Sequence, residues 1–481
     1  MGNDLPSISG KFLEGGQWRK AKKRTQVINP ANFAEAVGEV GLCSREEVAE
    51  AIDAAEKAFA YWSISGIHDR ENRIREAARQ LEKAVPELER LYVRENGKVL
   101  PEARRDLLRC VELMHEAIRT LQEWWSARTV KGQQLVQFRK RPRGVTAVIT
   151  PWNSPMILTF KRVIPAILTG NTVVVKPATS CPLTVLKSLE IIVPYFPPGV
   201  INVITGSGGA IGNMLCSDPR IRTIAFVGST ATGKEILRLS CQTVKKVYME
   251  LGGNDPALIL QDAILDEEAV RRLRAGVLRA AGQVCSAIKR IYVHESRYQE
   301  LVDKLKAEFA NVVVGNGLDP ESMMGPLQNR NQYIYVQGLL ERAAGEGAHI
   351  LRACIKRNPE EWTKGYFMEP AIVTNVSQQS EIVRVEQFGP VIPILPFKDE
   401  EEAVKLANDS VYGLRASVWT ADREKAAALA DRLEAGAVFH NHHTIFQDLR
   451  IDFPGIKESG LSRETQNCAL DLFADTYGFA E

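Results

Sequence analysis

The sequence predicts an α/β fold made of two Rossmann-like open sheets with a small β element beside them. Three observations carry this. From residue 144, short β-rich runs (VTAVIT, TVVVKP, INVIT, TIAFVGS) alternate with helical stretches, the βαβ rhythm of a mostly parallel open sheet. After residue 252 a second series follows: PALIL, RIYVH, ASVWT and AVFHN. The third is length, since 481 residues are too many for one hydrophobic core and two or three domains are expected.

The elements follow in order. SREEVAEAIDAAEKAFAYW opens on a capping box, Ser44 with Glu47, and places Val48, Ile52, Ala55 and Phe59 on one helical face. Residues 70–94 and 102–125 read as two more long amphipathic helices. VKGQQLVQFRKRPRG (130–144) fits neither sheet series and reads as paired, charged strands. The tail ALDLFADTYGFAE is strand-like as well. The expected division is 1–119 with 143–251 as one open-sheet domain, 252–457 as the second, and 120–142 with 458–481 as the separate β element.

Composition narrows the function. Hydrophobic residues make up 45% and charged residues 25%, the balance of an ordinary globular protein. With 61 basic against 59 acidic side chains, no strong field draws the chain to nucleic acid or anionic lipid, and neither partner is expected. MGNDLPSISG lacks an apolar signal region, Pro6 stands where a myristoylation signal wants Ser or Thr, and no apolar run approaches a membrane span. A cytoplasmic protein is expected. Eight cysteines are scattered without a C-x-x-C pair, so no zinc or thioredoxin-type site is expected, and most should be buried thiols.

One cysteine, Cys285 in AAGQVCSAIKR, is set apart by residues distant in sequence. In YMELGGND, Glu250 ends an apolar run before two glycines that allow a tight bend. In TPWNSP, Asn153 sits on a loop stiffened by Pro151 and Pro155, which suits an oxyanion donor because it need not reorganise. Lys176 ends the strand VVVK, at the sheet edge where nucleotides sit. GSGGAIG (206–212) and FVGSTATG, with Gly228 and Gly233, each follow a strand and can open a helix that receives phosphate, although tight turns use glycine for many reasons. Glu386 and Phe388 share the turn VEQFGPV, suited to a ribose and a flat ring.

Taken in order, TPWN, KPAT, FVGSTATG, MELGGN, GQVC, EQFGPV and FPGIKESG resemble the aldehyde dehydrogenase superfamily over nearly the whole chain. The resemblance implies that Cys285 attacks an aldehyde, that Asn153 and the Cys285 N–H hold the oxyanion, and that hydride leaves to a nicotinamide. It implies that Glu250 then activates water on the thioester, giving a carboxylic acid. NAD or NADP is the implied cofactor, and the implied partners are a small-molecule aldehyde and further copies of the chain in a homodimer or homotetramer. The first sheet domain becomes the dinucleotide-binding domain, the second the catalytic domain, and the β element the bridging domain for oligomerisation. Thr150, Pro151, Trp152, Lys176, Thr179, Gly208, Gly228, Ser229, Gly233, Leu251, Gly252, Glu386 and Phe388 are the implied cofactor contacts. Ser154, Leu158, Val284, Ser286, Thr444, Phe446 and Phe453 are the implied substrate contacts, a mixed apolar and small set that suits an aromatic or medium-length aliphatic aldehyde. Two other classes compete: a non-catalytic nucleotide-binding relative, against which Cys285, Glu250 and Asn153 together argue, and a coenzyme A-acylating dehydrogenase, against which Glu250 argues.

The chain departs from the family pattern in places. Thr179 stands where NAD-preferring members often carry Glu, which removes a charge that would repel a 2′-phosphate. DFPG (452–455) replaces the usual PFGG, and Ser154 replaces an aromatic. HNHHTIFQDLR (440–450) holds His440, His442 and His443. Strand alternation would put His440 and His442 on one face, as pocket lining rather than a metal site. Arg450 reads as a surface residue.

Overall fold

The structure, a computed structural model, describes residues 6–132, 134–443, 455–461 and 469–480. The first sheet has the strand order Lys246–Glu250, Ile221–Val227, Val145–Ile149, Thr172–Lys176, Ile201–Val203, Lys11–Glu14, Gln17–Lys20. Its first five strands are parallel. Every residue of Thr172–Lys176 is buried, as expected of a central strand with helices on both faces. Register pairs Ile149 with Lys176 and Val227 with Glu250, so both charged side chains end their strands at the same edge of the sheet. Ligands of open parallel sheets sit beyond that carboxyl edge.

The second sheet runs His349–Arg352, Ala371–Thr374, Val391–Phe397, Ile288–His294, Asp255–Ile259, Arg415–Trp419, Ala437–His440. All its pairings are parallel except that of the first strand. Both predicted strand series are therefore present, and the α/β class stands. The capping box at Ser44 opens the helix Arg45–Trp62 with both reciprocal bonds made. The two long helices extend slightly beyond the sequence expectation, as Ile67–Asn96 and Leu100–Trp125. They pack on each other and on Pro155–Leu168, and Leu81, Leu88, Leu107, Met114 and Phe160 share one buried cluster.

The charged stretch after the third helix forms Arg128–Lys131 and Leu135–Pro142, which pair with Ala474–Ala480 in a three-stranded antiparallel sheet. Cations lie over its rings: Arg139 over Phe479 at 4.6 Å and Lys140 over Trp124 at 4.3 Å. The N-terminal strands were not foreseen. Lys11–Glu14 and Gln17–Lys20 extend the first sheet antiparallel, and Lys23–Asn29 pairs with Asn32–Leu42 in a hairpin. Their half-exposed, Lys-rich sequences lack the apolar alternation that announces a strand.

The end of Ile67–Asn96 anchors several loops. Glu95 is fully buried, and its carboxylate accepts the N–H groups of Leu183 (2.8 Å) and Thr184 (2.6 Å), capping Leu183–Ile192 from 88 residues away. Burial pushes its carboxyl up to about 7, against the pull of those N–H donors. The folded chain thus holds a proton that the unfolded chain has lost, so this contribution to stability is full below the ordinary carboxylate range and lost as pH rises through about 7. Glu95→Gln is expected to flatten that fall in denaturant unfolding curves. It should also cost about 1–3 kcal/mol, because its NH2 would face a backbone donor.

Candidate active site

Glu250 lies at a buried strand end, where an isolated carboxylate would be costly. Arg162 compensates it: the guanidinium is 2.6 Å from the carboxylate, and both side chains are 4% exposed. Arg162 comes from the apolar helix Pro155–Leu168, whose sequence PMILTFKRVIPAIL carries a cation in its buried face. That oddity was the signal, and the sequence reading passed over it.

The loop bearing Cys285 follows the helix Glu267–Leu278. Ala280, Ala281 and Gly282 all have left-handed backbone, with φ of 49°, 55° and 73°. Gly282 has a second reason to be glycine: a Cβ there would lie 2.1 Å from the Gly389 carbonyl oxygen. On the other side, a Cβ on Gly253 would lie 2.6 Å from the Cys285 carbonyl oxygen. Cys285 is half-buried. Asn153, 5% exposed, donates from Nδ2 to the Gln283 carbonyl at 2.9 Å. Gln283 is held in turn by Ala280 O and the Gln328 N–H, each at 2.9 Å. One amide proton of Asn153 thus orients the group, and an amide nitrogen carries two.

Burial pushes the Cys285 thiol up to about 12, and the nearby Glu250 carboxylate pushes in the same direction. Lys289 pulls the other way. The thiol is therefore protonated at neutral pH in this arrangement, and its reactivity depends on the charges around it.

Most of the expected cofactor contacts follow strands of the first sheet at its carboxyl edge, and Glu386 and Phe388 come from the loop before Val391–Phe397 of the second. Lys176 is buried and finds no hydrogen-bond partner among the described residues, while burial lowers its ammonium to about 8. A buried donor of this kind fits a ligand hydroxyl or phosphate. The exposed Ser229 caps the 11-residue helix Thr230–Ser240, presenting a helix N-terminus. Beneath it, a Cβ on Gly233 would strike Leu251. The Thr179 hydroxyl donates to Gly206 O at 2.9 Å. Gly208, exposed, begins the π-helical segment Gly208–Gly212 that runs into the short helix Asn213–Ser217. Trp152 and Phe388 meet edge to face at 5.5 Å, and Phe388 has left-handed backbone, φ 53°. Glu386 accepts the Gly253 N–H at 3.1 Å and packs where a Gly252 side chain would be, and burial raises its carboxyl. Thr150 turns its hydroxyl to Thr159 at 2.9 Å, and Pro151 is half-buried beside it. These residues fit a dinucleotide: a buried ammonium, a helix N-terminus, an acidic side chain and two aromatic faces.

On the other side of Asn153, Ser154 accepts from Lys98 Nζ at 3.2 Å, and Lys98 is itself paired with the buried Asp106. Leu158 is half-buried, Val284 is 6% exposed and Ser286 is fully buried. Thr444, Phe446, Phe453 and Arg450 lie outside the described residues. The expectation that His440 and His442 share a strand face is corrected. The strand ends at His440, and Asn441, with φ 56°, turns the chain. His440 then bonds Thr420 O at 3.0 Å, His442 leans on Phe439, and the buried His443 bonds Ser417 Oγ at 2.9 Å. Lys98, Arg162, Gln283 and Lys289 are the polar contacts that sequence reasoning missed.

Because the Glu250 carboxylate raises the Cys285 thiol, Glu250→Gln should move the pH profile of Cys285 alkylation by iodoacetamide to lower pH. A profile displaced to higher pH would refute this electrostatic arrangement.

Residues 18–477 match the model of the aldehyde dehydrogenase family. The chloroplastic aminoaldehyde dehydrogenase of Arabidopsis thaliana is 34% identical over 98% of this chain and 95% of its own length. The NADP(+) succinate-semialdehyde dehydrogenase of Escherichia coli is 33% identical over 98% of both chains. The crystal structure of betaine aldehyde dehydrogenase from Staphylococcus aureus in complex with NAD+ superimposes with a TM-score of 0.94 at 30% identity, over 99% of this chain and 95% of that one. With the predicted motifs, the two-sheet fold and the full-length matches in agreement, the chain belongs to the aldehyde dehydrogenase family of NAD(P)-dependent oxidoreductases.

Proposed function

We propose that the protein oxidises an aldehyde to its carboxylic acid through Cys285, Asn153 and Glu250, with NAD or NADP held by the cofactor contacts above. The observation that carries this reading is that the buried Asn153 amide is bonded to Gln283 O, two residues before Cys285, so that oxyanion donor and nucleophile are held by one loop. The Cys285 thiol gives up its proton to solvent, and the sulfur adds to the aldehyde carbon, forming the oxyanion of a thiohemiacetal. The second Asn153 amide proton and the Cys285 N–H hold the developing oxyanion. Bound NAD(P)+ supplies the hydride acceptor. Glu250, once turned from Arg162, removes a proton from the water that opens the resulting thioester. Lys176 and Glu386 bind ribose hydroxyls, Ser229 and the Gly228 main chain meet phosphate, and Phe388 with Trp152 flanks the nicotinamide end.

The substrate we infer is an aromatic or medium-length aliphatic aldehyde, lined by Ser154, Leu158 and Val284. Lys98 beside Ser154 adds one polar contact to that lining. We infer a cytoplasmic homodimer or homotetramer, joined through the three-stranded sheet. Supporting this is a row of half-exposed residues along Leu135–Pro142.

The test is reduced-nicotinamide absorbance with aromatic and aliphatic aldehydes, including aminoaldehydes, betaine aldehyde and succinate semialdehyde, with NAD and NADP in parallel. Cys285→Ala should abolish the signal, and Asn153→Ala should lower kcat by roughly 10²–10³-fold. Wild-type turnover that survives Cys285→Ala would refute the mechanism. Thr179→Glu should lower the NADP-to-NAD ratio of kcat/KM, since a carboxylate would repel a 2′-phosphate. An unchanged ratio would remove Thr179 from the cofactor site.

A further inference from the structure

Lys289 is a buried lysine, 2% exposed, with no part in the chemistry above. It opens no amphipathic face and pairs with no surface acid. Its Nζ donates to two consecutive main-chain carbonyls of the nucleophile loop, Val284 at 2.9 Å and Cys285 at 2.6 Å. The same ammonium lies 3.6 Å from Glu386 Oε1. That carboxylate oxygen also accepts the Gly253 N–H, and Gly253 is the residue pressed against the Cys285 carbonyl. A closed set of contacts therefore joins three loops from different parts of the chain.

We propose that Lys289 is a positioning residue that couples the two halves of the site, tying the backbone of the nucleophile loop to the carboxylate that receives the cofactor ribose. The inference rests on the reading of Cys285 as nucleophile and Glu386 as a nucleotide contact. Two of the three Lys289 donors are spent on the loop carbonyls, and the charge they carry is left to pair with the Glu386 carboxylate at 3.6 Å. A neutral side chain of equal length fills the space without making those bonds. The charge matters as well as the geometry. Glu250, Glu386 and Asp255 all press the Cys285 thiol towards its protonated form, and Lys289 opposes them. Asp255 is 1% exposed and lies 3.8 Å from His443, whose imidazole is pushed towards its neutral form chiefly by burial, with Lys289 and Arg415 acting in the same direction. The ammonium thus sets one positive charge between the Cys285 carbonyl and the Glu386 carboxylate.

The experiment compares wild type, Lys289→Met and Lys289→Arg, each checked for folding by thermal unfolding. Two readouts are used: the pH profile of Cys285 alkylation by iodoacetamide, and NAD+ affinity. In Lys289→Met the alkylation profile should move up by about one pH unit, making alkylation roughly tenfold slower near neutrality, and NAD+ should bind several-fold more weakly. Lys289→Arg, which keeps the charge, should recover most of the profile. A folded Lys289→Met with an unmoved profile would overturn the proposal. So would a moved profile with unchanged NAD+ affinity, which severs the link to Glu386. Neither readout needs an aldehyde: both effects in Lys289→Met, together with a wild type that oxidises no aldehyde, would fail the proposed function and leave the coupling standing. Wild type whose Cys285 resists alkylation at every pH would overturn both.

Discussion

Backbone-to-backbone contact at the active-site loops is the constraint on which the rest of the site depends. Gly282 lies against the Gly389 carbonyl, and Gly253 against the Cys285 carbonyl, at distances that leave no room for a side chain. Gly252 stands in the same relation to the Glu386 carboxylate. Three loops, one after a strand of the first sheet and two leading into strands of the second, thereby come into direct contact. Cys285, Glu386 and the strand-end Glu250 are brought together by that approach and not by long side chains reaching across a cleft. The left-handed backbone at Ala280, Ala281 and Phe388 fits this picture, since strained conformations persist only where surrounding packing over-determines them.

Such close packing buries charge, and the second theme is how it is compensated. Glu250 has Arg162, Glu386 has Lys289, and Asp106 has Lys98. Buried pairs of this kind seldom add net stability, because desolvation offsets the attraction. Their value is geometric: each cation fixes where a carboxylate points. The charges also tune the thiol: burial and the acids around Cys285 favour its protonated form, and Lys289 opposes them. Lys289 is set on the Cys285 carbonyl, and its burial keeps that charge little screened by solvent.

The fold was legible wherever hydrophobic periodicity was strong. Both strand series and the three long helices were readable because Val- and Ile-rich runs and a 3.6-residue apolar stripe are local signals. The N-terminal strands were not, since Lys11–Glu14 and Gln17–Lys20 owe their conformation to a sheet edge formed by residues near 201. Arg162 and Lys289 were visible as cations beside apolar runs, yet sequence alone does not say which acid each would meet. The histidine segment misled for the same reason: strand alternation was extended past His440, where Asn441 ends it.

The sequence by itself determined the fold class, the family and the chemistry-bearing residue types, because ordered motifs and periodicity survive without coordinates. Only the tertiary structure decided the partners: that Glu250 meets Arg162, that Asn153 is oriented by Gln283, and that Lys289 bridges Cys285 and Glu386. The physical reason is range. Periodicity and turn chemistry act over a few residues, whereas charge compensation and backbone approach join groups as far apart as Asn153 and Gln283, 130 positions along the chain.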